Sequence, residues 1–234
     1  MKALVTGKNS QNIKPLLKSL GIEVVSYNPE VIISYGGDGT LLYSERTYPG
    51  IPKLPIRNSL ICKKCPRHDE TLLLQKLLKS KLKLKEYKKL ETTFFYKTFY
   101  ALNDFVIRNK HPIHTIRFKI PPSDKLILGD GIVISTSFGS TGYFKSITRQ
   151  TFDKGFGVAF NNTIEKIGPL LLKDRNQVVF KLVRGQATLS FDNNPDIFNI
   201  DEGSELIFQL SDKIAKIYET DSLRCPDCIV RRDV

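Results

Sequence analysis

The sequence predicts an α/β amino-terminal domain of Rossmann-like type followed by a mostly β carboxy-terminal domain of β-sandwich type. Three observations predict it. Short apolar runs alternate with helical patterns up to about residue 79; the apolar run Val31–Tyr35 ends in the turn Gly36-Gly37-Asp38-Gly39-Thr40; and from Lys81 onward strand-like runs follow one another. At 234 residues the chain can bury one large core or two small ones. The change of pattern sets the expected domains at 1–79 and 80–218.

In chain order, Leu4–Gly7 reads as a first strand, Asn12–Leu20 as a helix, Gly21 as its stop and Ile22–Ser26 as a second strand. Leu41–Thr47 continues from the glycine turn as a helix. Lys53–Ile56 is a short strand, and Glu70–Lys79 a helix with Leu73, Leu74, Leu77 and Leu78 on its apolar side. Lys81, Lys83 and Lys85 alternate with Leu82 and Leu84, the pattern of a half-buried strand with a basic face. Strands are then expected at Phe94–Tyr100, Phe105–Arg108, Thr115–Ile120, Leu126–Leu128, Ile132–Thr136, Val178–Leu182, Ala187–Phe191, Glu205–Leu210 and Ala215–Tyr218.

Composition places the chain among globular proteins, with 41% hydrophobic and 26% charged residues. No uncharged apolar run is long enough to span a bilayer, and the apolar part of the amino terminus is too short for a secretory signal. A cytoplasmic protein without a membrane partner is expected. The net charge of +12 attracts nucleotides, polyphosphate or nucleic acid without choosing between them.

Three segments carry chemistry. In the glycine turn, absent Cβ atoms let backbone N–H groups approach a phosphate, while Asp38 either coordinates Mg²⁺ or orients an attacking hydroxyl. The bland alternative is a strand-to-helix turn capped by Asp38 or Thr40. The segment Asp130–Tyr143 runs from a buried strand into a hydroxyl-rich loop with Gly139, Gly142 and Tyr143, suited to binding sugar or amide groups and stacking a ring, or simply a hairpin loop. Asn103-Asp104 interrupts an apolar strand, as a satisfied turn or as a site that recognises hydroxyls.

Together, in this order, the three segments resemble the NAD kinase family, which transfers phosphate from ATP or polyphosphate to the 2′-hydroxyl of NAD. The glycine turn alone is shared with lipid kinases and phosphofructokinases; Asn103-Asp104 and Gly139–Tyr143 narrow it. Ile56-Arg57-Asn58 is similar to the family's following strand end, and Ser190-Phe191-Asp192 to its late acidic position. The resemblance implies that Asp38 activates or orients the ribose hydroxyl, with Gly36, Gly37, Gly39 and Thr40 as phosphate loop. It implies that Asn103 and Asp104 hold the adenosine, that Asp130, Thr141, Gly142 and Tyr143 hold the rest, and that Asn58 and Asp192 belong to the binding site. Mg²⁺, a homodimer or homotetramer with sites partly shared across subunits, and a carboxy-terminal tail (219–234) that returns to the first domain are implied as well. The chain departs from the family at Ser137-Phe138, where relatives carry Pro then Ser or Thr. It departs again after Asn58, at Lys145–Arg149, and at Asn193, where relatives usually have Gly.

All four cysteines fall in two pairs, Cys62-Lys63-Lys64-Cys65 and Cys225-Pro226-Asp227-Cys228, each with the gap that turns both thiolates toward one tetrahedral metal. Structural Zn²⁺ is expected on Cys62, Cys65, Cys225 and Cys228; separate disulfides, a redox pair and free thiols are the alternatives. His68, His111 and His114 read as surface or satisfied histidines. The expected activity is phosphorylation of NAD. The alternatives are a lipid or sugar kinase of the same superfamily, and a zinc-containing kinase fold kept as a nucleotide- or RNA-binding module, nucleic acid being possible but not favoured.

Overall fold

The structure, a computed structural model, describes residues 1–58 and 69–220. It divides into two compact units, one of Met1–Tyr87 joined by the chain from Ala215, the other of Lys88–Ile214. Among the described residues no helix is long and apolar enough to cross a membrane.

The first unit is α/β. Its elements are β1 (Lys2–Thr6), a 3-10 turn (Ser10–Ile13) that runs into α1 (Lys14–Ser19), β2 (Glu23–Val24), β3 (Val31–Gly36), α2 (Asp38–Thr47), β4 (Lys53–Arg57) and α3 (Glu70–Leu78). The strands are parallel in the order β2-β1-β3-β4. Parallel strands buried on both faces read as unbroken apolar runs, and every residue of β3 is buried. Ile33 and Tyr35 face a core with Ile13, Leu17, Leu73, Leu74 and Leu77. Ser34 points the other way and donates to Ser44 of α2, so α2 covers the opposite face. The chain returns to this unit at its far end. Ile217 pairs in parallel with Lys53, and the Thr220 hydroxyl donates to the Pro55 carbonyl at 3.3 Å.

The second unit is a β-sandwich. One sheet has the order β12-β11-β10-β7-β14-β15, from β7 (Asp104–Asn109), β10 (Gly131–Thr136), β11 (Phe156–Asn161), β12 (Leu170–Leu172), β14 (Ala187–Phe191) and β15 (Phe198–Ile200), all antiparallel. Opposite it lie β13 (Gln177–Arg184), paired with the first half of β16 (Glu205–Tyr218) and with β8 (Ile116–Lys119), which pairs in turn with β9 (Ile127–Gly129). The hairpin of β5 (Leu84–Phe94) and β6 (Lys97–Ala101) adds to it. Phe105 and Ile134 from one sheet meet Phe180 and Phe208 from the other in a common core, with the Phe105 and Phe208 rings 5.4 Å apart. The outer face of β10 and β11 is covered by α4 (Tyr143–Thr148), through Phe144 against Val133 and Ala159.

Several expectations are corrected. The helix after the glycine turn begins at Asp38 rather than Leu41, so Asp38, Gly39 and Thr40 form its first turn. The second strand shrinks to Glu23–Val24. Phe94–Tyr100 is a hairpin, because Phe95 and Tyr96 adopt positive φ (49° and 59°) and reverse the chain without a glycine to signal it. Of the basic alternation, Lys81, Lys83 and Lys85 are exposed and Leu82 packs partly against the core, but Leu84 is exposed and the strand begins only there. The two last strands are one, β16. Strands β11, β12 and β15 were not expected; β12 and β15 are three residues each, too short for a period of two to register.

Candidate active site

In the first unit the apolar run of β3 delivers the chain to Gly37, which is extended, and then directly into α2. A Cβ on Gly36 would lie 2.2 Å from the Thr40 hydroxyl, so the turn closes this tightly only with glycine there. Among the described residues a Cβ on Gly37 would meet nothing within 4 Å. Asp38 is exposed at the helix start, where the Thr40 amide already donates to the Gly37 carbonyl at 3.0 Å and the positive end of the helix dipole faces the cleft. Against this turn lies the loop after β1. Gly7 has φ +124°, and a Cβ there would stand 2.0 Å from the Tyr35 carbonyl oxygen, so the loop can cross the end of β3 only as glycine. The two loops enclose a cleft of about 660 Å³, with Gly39 and Thr40 on one wall and Gly7, Lys8, Ser10 and Lys14 on the other. Helix amides and two ammonium groups around one cleft make an anion site.

Two polar networks hold this cleft. Beneath it the Ser44 hydroxyl donates to the Thr40 carbonyl at 2.7 Å, accepts from Ser34 at 2.8 Å and lies 2.6 Å from the Thr6 hydroxyl, tying β1, β3 and α2 together. At its edge the Asn9 amide donates to the Asn58 side-chain oxygen at 3.0 Å, Asn58 donates to the Tyr35 hydroxyl at 2.8 Å, and Tyr35 donates to Glu70 at 2.7 Å. Burial pushes the Tyr35 hydroxyl up to about 12, the bond to Glu70 and its charge adding to the rise and the Asn58 bond opposing it. Asn58 thus has partners within the fold on both its oxygen and its nitrogen.

In the second unit Asn103 and Asp104 stand where β6 passes into β7. Asp192, buried at the end of β14, accepts the amides of Leu102 at 2.5 Å, Asn103 at 2.7 Å and Asp104 at 3.4 Å. Asp192 and Asn193 both adopt positive φ (46° and 56°), a conformation that Asp and Asn tolerate better than most residues. Burial, with the neighbouring Asp192 carboxylate, pushes the Asp104 carboxyl up to about 7. Burial pushes Asp192 up to about 6 against the opposing pull of its three amide donors and Lys89. The Asn103 side-chain oxygen is buried and has no hydrogen-bond partner among the described residues. An acceptor left so is costly unless a ligand donor completes it.

The glycine-serine-threonine loop is a 3-10 turn (Gly139–Thr141) leading into α4, not a hairpin. A Cβ on Gly139 would lie 2.2 Å from the Asn103 carbonyl oxygen. The loop therefore packs directly on the Asn103 backbone, and Thr141, Gly142 and Tyr143 follow from it. Most of the hydroxyls expected to meet a ligand are spent inside the fold. Thr136 donates to the Leu102 carbonyl at 2.6 Å, Ser135 lies 3.3 Å from the Asn103 carbonyl, and Ser140 bonds the Ser137 and Phe152 carbonyls. Thr141 and Gly142 are exposed, and Phe138 is buried. Asp130 stands apart. Ser135 pairs with Asp104, whereas Gly131 pairs with Arg108 at the far end of β10, about 14 Å along the strand. There Asp130 is held by Asn162 at 3.0 Å and by Asn109 at 3.5 Å.

Sequence reasoning did not single out Lys8, Lys14 or Ser44. Gly7-Lys8 directly after a strand was the available signal for the first two; a serine inside a helix carries none. Cys62, Cys65, Cys225, Cys228 and His68 lie outside the described residues. Among the described residues no group of three or more His, Cys, Asp or Glu could hold a metal ion. Asp38, exposed at the helix start, is a carboxylate that could contribute to a divalent cation held chiefly by substrate phosphates.

No protein-family model matches the chain. It is 30% identical over 93% of its length to an NAD kinase from Sulfurisphaera tokodaii, of which it covers 94%. Its fold is similar to the crystal structure of an NAD kinase from Archaeoglobus fulgidus in complex with ATP, with a TM-score of 0.77 at 18% identity over the whole of both chains. It is similar too to yeast NADH kinase complexed with NADH, with a TM-score of 0.76 at 13% identity, covering 98% of this chain and 86% of that one. These two likenesses establish the fold. They lend nothing to a lipid or sugar kinase or to a binding module, and sequence identity sustained from end to end of the Sulfurisphaera relative completes the assignment: the chain belongs to the NAD kinase family.

Proposed function

We propose that the protein phosphorylates NAD at the 2′-hydroxyl of its adenosine ribose, with a nucleoside triphosphate such as ATP as donor. The observation that supports this most is the cleft of about 660 Å³ in the first unit, enclosed by the loop Gly7-Lys8 and by Gly39 and Thr40 of the helix turn that begins at Asp38. Val24, Val25 and Tyr43 line the same cleft. An apolar wall next to two lysines suits a base and its phosphates, and favours ATP over polyphosphate.

In this reading residues 1–79 with the tail 219–234 handle the donor, and 80–218 bind NAD. Lys8, Lys14 and the α2 amides hold the donor phosphates in a fixed orientation. Asp38 accepts the proton of the 2′-hydroxyl as its oxygen bonds to the γ-phosphorus; the bond from that phosphorus to the bridging oxygen breaks, and the nucleoside diphosphate leaves. Bound Mg²⁺ would neutralise charge on the transferred phosphate. The free acceptor of Asn103 and the Asp104 carboxylate receive hydrogen bonds from the adenosine amino group and ribose hydroxyls. Tyr143 and Thr141 border them. Asp130, at the other end of β10, serves the site of a second copy in a homodimer or homotetramer. Structural Zn²⁺ on the four cysteines rests on their spacing, and metal analysis of purified protein checks it.

The test is NADP formation by purified protein with NAD, Mg²⁺ and either ATP or polyphosphate, beside Asp38→Ala. ATP-dependent product that falls by about 10³-fold or more in the variant is expected, the scale on which proton-accepting groups act. Undiminished turnover in Asp38→Ala removes Asp38 from the mechanism.

A further inference from the structure

The second unit carries a cavity of about 570 Å³ that the proposed reaction does not use, lined by His111, Ile113, His114, Arg117, Arg184 and Gly185. It lies at the end of β7 away from Asp104. From Asp104 to Asn109 that strand extends about 17 Å.

The pocket is built by the fold rather than left over from it. Asn109 is buried, and its side-chain amide donates to the His111 carbonyl at 3.2 Å and the His114 carbonyl at 2.9 Å, while the His114 amide closes the turn on the His111 carbonyl at 3.0 Å. One amide therefore winds the loop into a set shape, with the two imidazole rings edge-on and 6.3 Å apart. Below the loop, Arg117 on β8 and Arg184 on β13 are register partners, at a bulge that shifts the ladder between Leu182 and Arg184. Directly opposed residues bring their Cβ atoms to about 4.5–5.5 Å, and like charges so placed repel. Among the described residues neither guanidinium has an ion pair. The Glu202 carboxylate nearby accepts the Gly185 amide at 3.1 Å. Bulges re-aim side chains and recur beside binding sites; this one sets two cations on one cavity wall.

We propose that this pocket binds the phosphate groups of a phosphorylated small molecule. An anion seated between Arg117 and Arg184 turns their repulsion into two attractions, and guanidinium forks match phosphate oxygens bidentately. His111 and His114 offer further ring N–H donors. The cavity is larger than a lone phosphate needs, and Ile113, 87% exposed, gives it an apolar rim.

Isothermal titration of the full-length protein with pyrophosphate tests this, comparing wild type, Arg184→Gln, Arg117→Gln/Arg184→Gln and Lys8→Gln. Two pyrophosphates per chain are expected in wild type. Arg184→Gln should weaken one class at least tenfold and leave the other, whereas Lys8→Gln does the reverse. NADP formation without added pyrophosphate should be unchanged in Arg184→Gln. Because Arg184 is exposed, this single variant keeps the test decisive if the double variant does not fold by circular dichroism. Pyrophosphate binding that Arg184→Gln leaves unaltered in both classes, or a single class lost in Lys8→Gln, overturns the proposal. ADP serves as a second probe. Binding tenfold tighter than pyrophosphate at the Arg184-dependent class assigns a nucleotide; equal or weaker binding assigns a phosphate without a base.

Discussion

Asp192 accepts the backbone amide of Asp104, 88 residues away in sequence, while its carboxylate charge pushes against that of Asp104. One buried acid both positions the other and raises its affinity for a proton.

That raised value has a signed consequence for stability. With its folded pKa at about 7, above the usual 3.8, Asp104 binds a proton in the folded chain that the unfolded chain has already released. Its contribution is complete below pH about 4 and is lost as pH rises through 7. Asp104→Asn should melt at the same temperature as wild type at pH 4 and several degrees higher at pH 8, at about 2–4 °C per kcal/mol relieved. Thermal melts across this range check it; a gap that does not change with pH contradicts the assignment.

The same titration should appear in substrate binding. Ribose hydroxyls donate to a carboxylate, so the KM for NAD should fall as pH rises through about 7 in wild type. Initial-rate measurements on Asp104→Asn should lose this limb of the profile.

Removal of the anchor itself should be costly. Asp192→Ala strips an acceptor from three amides, two of them at 2.7 Å or less, and should destabilise the fold by about 2–4 kcal/mol. Urea denaturation measures this, and the KM for NAD should rise tenfold or more as Asn103 loses its position.

Gly139→Ala places a methyl group 2.2 Å from the Asn103 carbonyl oxygen, which no rotamer relieves because both partners are backbone. NAD affinity should fall at least tenfold while phosphate binding in the first unit is unchanged. Binding measured separately for NAD and pyrophosphate distinguishes this from general unfolding.

Lys53 is fully buried, ion-paired with Glu45, and donates to the Tyr48 carbonyl at 2.5 Å. Lys53→Ala removes a buried positive partner of Glu45 and should cost about 3–5 kcal/mol, while the double variant Lys53→Met/Glu45→Leu should recover most of it. Urea titrations of the three proteins decide between an ion pair that stabilises and one that merely tolerates burial.

Legibility differed by residue for physical reasons. The run Val31–Tyr35 with its glycines could be read because a strand buried on both faces is apolar throughout and a tight turn restricts residue type. The loop from Gly139 to Tyr143 was read as a ligand loop or a hairpin loop, and nothing local shows that Gly139 lies against the Asn103 backbone. Asn58 and Asp192 were read as binding residues, and the structure gives both side chains partners within the fold. A donor or acceptor in a sequence does not reveal whether its partner will be a ligand or a distant amide.

The sequence by itself determined the two-domain α/β and β architecture, the order of the chemical segments and the family, because hydrophobic period, glycine placement and residue type are local properties. Only the tertiary structure decided which polar groups are left over among the described residues: Asp38 exposed, Asn103 with a buried acceptor that has no hydrogen-bond partner there, and Arg117 paired in register with Arg184. Hydrogen bonds and charge repulsion act between groups that folding brings within a few ångströms from tens of residues apart, and no local pattern records those pairings.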